Sequence, residues 1–101
     1  MPDDAPLSLL RAFGSALRAR RESLGLSQEE LAFRSEVHRT YISELERGLK
    51  NPSLTTLDKL ASALQTDKTT LIRATEQLLP APRSAPRGAG LQRPKRGRRT
   101  Q

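Results

Sequence analysis

Between Leu7 and Pro80, large apolar residues recur three and four positions apart and nowhere alternate with polar ones. Leu10, Phe13, Leu17 and Leu24 form one such series, and Leu54, Leu57, Leu60, Ala61 and Leu64 form another. Leu71, Ile72, Thr75, Leu78 and Leu79 make a third. That spacing buries a stripe along an α-helix, whereas a strand needs period two. The series are short and interrupted by residues that stop helices: Gly25, Gly48, Asn51-Pro52 and Pro80. The chain is therefore all-α, a bundle of five short helices with tight connections.

Local signals set the boundaries. The first helix is expected over 7–24, ended by Gly25, the residue that best accepts the left-handed conformation beyond a helix end. Ser27 caps the second, and Glu30 three residues on completes a capping box; that helix reaches Arg34 through Leu31 and Ala32. A third begins near His38, buries Ile42 and Leu45, and stops at Gly48. Asn51-Pro52-Ser53 reads as a stop followed by a fresh cap for the fourth, whose apolar face is Leu54, Leu57, Leu60, Ala61 and Leu64. Thr69 opens the fifth and Pro80 closes it.

Charge divides the chain differently. Its 18 Lys and Arg exceed its 11 Asp and Glu, giving +7, but residues 80–101 hold Arg83, Arg87, Arg93, Lys95, Arg96, Arg98 and Arg99 and no acid. The excess lies wholly in that stretch, which is also rich in Pro and Gly and has Leu91 as its one large apolar residue. Such a segment cannot bury enough surface to offset the entropy of ordering, so a disordered basic tail over 80–101 is expected. A short disordered lead over 1–6 precedes the folded unit, 7–79. One small domain is all that 101 residues of this composition allow.

These counts exclude several classes of function. With no Cys, disulfides and a thiolate nucleophile are ruled out, and a lone His argues against a structural zinc site. No paired carboxylates, nucleophile–base pair or phosphate-cradling glycine loop can be picked out, so the chain is read as no enzyme, with no cofactor and no evident small-molecule ligand. No apolar run approaches the roughly 18 residues of a membrane span, and Met1-Pro2-Asp3-Asp4 does not begin a signal peptide. A cytoplasmic protein with a polyanionic partner is expected.

The stretch from Ser27 to Gly48 points to that partner. Two short helices separated by Ser35-Glu36-Val37 make a helix-turn-helix. Ala32 supplies the small residue at the helix crossing; Leu31, Val37, Ile42 and Leu45 fill the inner face. His38, Arg39, Thr40, Ser43 and Glu44 keep the outer face of the second helix polar, as reading base edges requires.

Leu26-Ser27-Gln28-Glu29-Glu30-Leu31-Ala32, Tyr41-Ile42-Ser43-Glu44-Leu45-Glu46-Arg47-Gly48 and Asn51-Pro52-Ser53 closely resemble the Cro/repressor-type, or xenobiotic-response-element-like, helix-turn-helix regulators over roughly residues 9–75. Arg39-Thr40-Tyr41-Ile42-Ser43 also resembles the controller proteins that time restriction–modification expression. The resemblance implies a compact five-helix lambda-repressor-like domain, a sequence-specific regulator of transcription, and double-stranded DNA as partner. The chain departs from the pattern at Glu36, where the turn usually has Gly; a non-Gly residue at positive φ costs on the order of 1 kcal/mol.

Arg39 is the leading candidate for base contact, since Arg pairs bidentately with guanine O6 and N7; the plain alternative is a solvated surface Arg. Thr40 suits a thymine methyl or a phosphate, and Glu44 a cytosine amine unless a neighbouring Arg holds it. His38 is either a DNA contact or an exposed helix start. Gln28 opens the second helix, where free N–H groups and the dipole favour a phosphate, and the resemblance implies that contact. Tyr41, Ser43, Arg47, Lys50 and Asn51 are further phosphate candidates, with Tyr41 equally readable as a half-buried ring.

Arg21 continues the inward stripe of the first helix, so its guanidinium needs a carboxylate, and Glu46 is the natural partner for a structural ion pair. Leu71, Ile72, Leu78 and Leu79 either pack on their own domain or form a two-fold seam. A homodimer would read a near-palindromic operator. In the tail, Arg96-Gly97-Arg98 partly resembles the AT-hook of the minor groove, with Arg99 where that motif has proline; loose phosphate attraction is the alternative. The other reading of the whole chain is an antitoxin-like or other protein-interaction module on the same fold.

Overall fold

A computed structural model of the chain describes residues 8–80. The expected lead over 1–6 lies outside them, as does the tail from residue 81, including Arg96, Gly97 and Arg98. The described residues form five helices and no strand: α1 (Leu9–Ser23), α2 (Gln28–Ser35), α3 (Arg39–Glu46), α4 (Leu54–Ala63) and α5 (Lys68–Leu78).

Each helix starts on a side chain that accepts an otherwise orphaned backbone N–H. Ser8 takes that of Arg11 at 3.2 Å, Ser53 that of Thr56 at 3.0 Å and Asp67 that of Thr70 at 2.8 Å. Ser27 and Glu30 make the full capping box, at 3.0 and 2.8 Å. Two starts differ from expectation: α1 begins at Leu9 behind Ser8, and α5 begins at Lys68 because Asp67, not Thr69, supplies its cap.

One core joins Phe13 and Leu17 of α1, Leu31 of α2, Ile42 and Leu45 of α3, Leu57 and Leu60 of α4, and Leu71 of α5, with Leu26, Val37 and Leu64 from the connections. Burying each such side chain stabilises the fold by about 1.5–3 kcal/mol. Helix α1 packs on α5 and α3, while α2 packs on α3 and α4. Leu54 departs from the expected apolar face. As the first residue of α4 it lies at the edge of the stripe and is 77% exposed, beside Ile72 and Arg73 of α5.

Two packing devices were not singled out from sequence. Gly14 lets α1 lie against the end of α3; a Cβ there would collide with the carbonyl oxygens of Leu45 and Glu46. Arg20 reaches from α1 to the end of α4, donating to the carbonyls of Leu64 and Gln65, each at 3.0 Å. This holds the α4 terminus where Gln65 turns with φ of 59°.

Candidate nucleic-acid interface

The turn between α2 and α3 is built by Ser35 and Glu36. Buried Ser35 donates its hydroxyl to the Leu31 carbonyl at 2.7 Å and accepts the Val37 N–H at 3.3 Å. Glu36 adopts φ 60° and ψ 30°, and its N–H donates to the Ala32 carbonyl at 2.8 Å. The left-handed geometry usually given to Gly is therefore kept by Glu, at about 1–2 kcal/mol. Val37 then drops into the core and brings α3 across α2.

Helix α3 has two unlike faces. Ile42 and Leu45 are wholly buried, while Arg39, Thr40 and Arg47 are exposed and Tyr41, Ser43 and Glu44 are half-buried. Tyr41 packs partly against the core. Among the described residues Arg39 has neither an ion-pair partner nor a side-chain hydrogen bond, and Glu44 has no ion-pair partner. His38 is more constrained than expected. It is the N-cap of α3, and its Nδ1 accepts the Thr40 N–H at 3.1 Å, so only the rest of the ring is open to a ligand.

Beneath this face lies a buried polar network. Arg21 grips Glu46 in two parallel bonds, Nε to Oε2 at 2.6 Å and Nη2 to Oε1 at 2.9 Å. Its third bond, Nη1 to the Leu26 carbonyl at 2.8 Å, ties the α1–α2 connection into the same unit. The bonds it donates to Glu46 hold Arg21 in its charged form and raise its pKa above the ordinary value. Glu46 Oε1 also accepts from Gln28 Nε2 at 3.0 Å. Sequence reasoning missed that last bond. It commits one amide N–H of half-buried Gln28 and orients the side chain at the start of α2, and among the described residues its second N–H has no acceptor.

After α3, Gly48 turns with φ of 77°, and the Leu49 N–H donates to the Glu44 carbonyl at 2.9 Å. Lys50 and Asn51 follow, both exposed. Gln28, the outer face of α3 and this loop therefore belong to one contiguous stretch of chain, offering neutral and cationic donors around a mainly polar helix. Phe33, on α2 beside Glu29, Glu30 and Arg34, joins no core and is 87% exposed.

The expected self-association seam is redistributed. Leu71 faces the protein's own core at 2% exposure and cannot contribute to an open seam. Ile72, 44% exposed, shares an apolar groove with Leu54 and Leu57. Leu78, 46% exposed, belongs to a different groove with Ala16, Ala19 and Ala74, and Leu79 is half-buried. Six positions on a helix turn a side chain well away from its starting face, which is why Ile72 and Leu78 part company. Among the described residues no His, Asp or Glu cluster is arranged to hold a metal ion, and no helix is long and apolar enough to cross a membrane.

A family profile described as helix-turn-helix matches residues 17–71. Over 53 residues the chain is 49% identical to control protein C.BamHI of Bacillus amyloliquefaciens, a match covering 52% of this chain and 65% of that protein. Among solved structures, the restriction-modification controller protein C.AhdI from Aeromonas hydrophila is similar with a TM-score of 0.61 and 47% identity, over 61% of this chain and 94% of that one. The controller protein C.Esp1396I, solved as a tetramer in complex with its natural 35 base-pair operator, has a TM-score of 0.63 and 28% identity, over 68% of this chain and 91% of its own.

Proposed function

The chain belongs to the helix-turn-helix family, and from that premise we propose that it is a sequence-specific, double-stranded DNA-binding regulator of transcription of the controller type. Helix α3 enters the major groove. Arg39 reads a base edge, with Thr40, Glu44 and the open edge of His38 beside it; Gln28, Tyr41, Ser43, Arg47, Lys50 and Asn51 hold the flanking phosphates. The observation that carries this reading is the contrast within α3, an apolar face with Ile42 and Leu45 wholly buried against an outer face where Arg39 is exposed and, among the described residues, unpaired. An unpaired Arg keeps its bidentate fork available for guanine, worth roughly 1–3 kcal/mol of discrimination. The protein acts as a homodimer on a near-palindromic operator, with Ile72 and Leu54 the exposed apolar pair best suited to the seam. The tail adds phosphate attraction from Arg96, Arg98 and their neighbours.

The test is retardation of the duplex upstream of the protein's own gene in the presence of unrelated competitor. Retention by the wild type and its loss on Arg39→Ala support the reading, whereas equal affinity for unrelated duplexes rejects it. A protein-interaction role has one supporting observation, exposed Phe33 on α2.

A further inference from the structure

The helix-turn-helix accounts for α2, α3 and the loop after them, but two contacts bring the first turns of α1 to that loop as well. The backbone and Cγ of Arg11 lie so close to Gly48 that a Cβ on the glycine would come within 2.5 Å of Arg11 Cγ and 2.9 Å of Arg11 Cα. Leu9, Leu10 and Phe13, from the same part of α1, share a groove with Asn51 and Pro52. The Arg11 stem is thus laid on the glycine that ends α3, two residues before Lys50. Its backbone is fixed by the Ser8 cap, which accepts the Arg11 N–H at 3.2 Å.

The charge on this residue has no use within the described fold. Arg11 is exposed and, among the described residues, has neither an ion pair nor a side-chain hydrogen bond. The other arginines of α1 are all committed: Arg18 to Glu22 at 2.9 Å, Arg20 to the end of α4, and Arg21 to Glu46. An Arg whose stem rests on neighbouring backbone and whose head stays in solvent is well placed for an anion at the rim of that surface.

We propose that Arg11 is a phosphate contact of the DNA-bound protein, extending the clamp of Arg47, Lys50 and Asn51 onto α1. Gly48 serves this contact twice. Its positive φ ends α3, and its missing side chain gives the Arg11 stem its seat. The inference rests on the DNA-binding reading and adds to it a residue outside the helix-turn-helix, one that sets affinity without choosing sequence.

The experiment titrates the full chain onto the upstream duplex, and onto an unrelated duplex, by fluorescence anisotropy over a series of salt concentrations. Each neutralised phosphate contributes about −0.9 to the log–log slope. Arg11→Gln is expected to make the slope shallower by about that amount on both duplexes, leaving their affinity ratio and the melting temperature unchanged. Arg11→Lys should retain the wild-type slope. Arg18→Gln, which removes an equal charge already paired with Glu22, should leave it unaltered. A wild-type slope for Arg11→Gln overturns the proposal. An equal loss for Arg18→Gln also overturns it, because the effect is then one of net charge rather than of a contact. A wild type without preference for the upstream duplex sinks the sequence-specific reading but leaves Arg11 measurable on either duplex, so the two fail separately.

Discussion

Removing one partner of the Arg21–Glu46 pair should cost more than removing both. The two side chains are only 10% and 4% exposed, and the pair joins α1 to the end of α3. In Glu46→Ala the guanidinium keeps the Leu26 carbonyl as its one remaining acceptor. In Arg21→Ala the carboxylate keeps only the Gln28 amide. Breaking a buried pair by deleting one member costs about 3–5 kcal/mol, most of it from the stranded charge. At about 0.05–0.15 kcal/mol per residue, a folded unit spanning 8–80 has about 4–11 kcal/mol in total. Each single variant should therefore lose at least about 12 °C of melting temperature at neutral pH, followed by circular dichroism. Arg21→Met with Glu46→Leu removes both charges and keeps much of the volume, so it should melt well above either alanine variant. Single losses below about 5 °C, or a double variant whose loss is the sum of the two, would refute the reasoning.

Gly14→Ala places a methyl against the carbonyl oxygens of Leu45 and Glu46. Overpacking of that kind costs about 1–3 kcal/mol, so melting should fall although alanine is the better helix former; a rise would mean that α1 and α3 can part without penalty. Glu30 and Asp67 are both held below their ordinary pKa values of 4.5 and 3.8 by the backbone N–H groups they accept, those of Ser27 and Thr70. Their stabilisation is complete above those ordinary values and is lost as pH falls through the lowered ones. A melting series between about pH 2 and 6 should show a flatter acid limb for Glu30→Gln with Asp67→Asn than for wild type. Deleting residues 81–101 removes seven cationic residues and no acid, so binding should weaken on every duplex, with a shallower salt slope and the operator preference kept. An unaltered slope would show that the tail takes no part.

The helices were legible because caps and stops are local chemistry: Ser27 with Glu30 reads as a helix start whatever the rest of the chain does. Arg21 and Glu46 were legible as a pair through the inward phase of Arg21 together with the family resemblance. What escaped depends on how one helix lies on another. Gly14 looks like a weak helix residue until α3 lies across it, and the periodicity that put Leu54 inside says nothing about where the neighbouring helix ends. The same gap produced the single seam of Leu71, Ile72, Leu78 and Leu79, for an apolar series records which residues avoid water and not which partner covers each.

Charge has the same two-level character. Summed along the chain it points to the tail, because residues 1–79 cancel. Sorted by contacts, the cancellation is uneven. Glu22, Glu46 and Asp58 are spent on Arg18, Arg21 and Lys68, away from the outer face of α3. Arg39 on that face, and Arg11 at its rim, have no carboxylate partner within the described fold. A domain can therefore be nearly neutral and still offer cations where a polyanion would lie. Near-neutrality also has a use in a reader of sequence. Phosphate attraction strengthens correct and incorrect sites alike, so discrimination depends on contacts such as the one proposed for Arg39 and gains nothing from more charge on the fold. With the net positive charge drawn from residues 80–101, long-range attraction to a polyanion can be changed there without touching the contacts proposed for the fold.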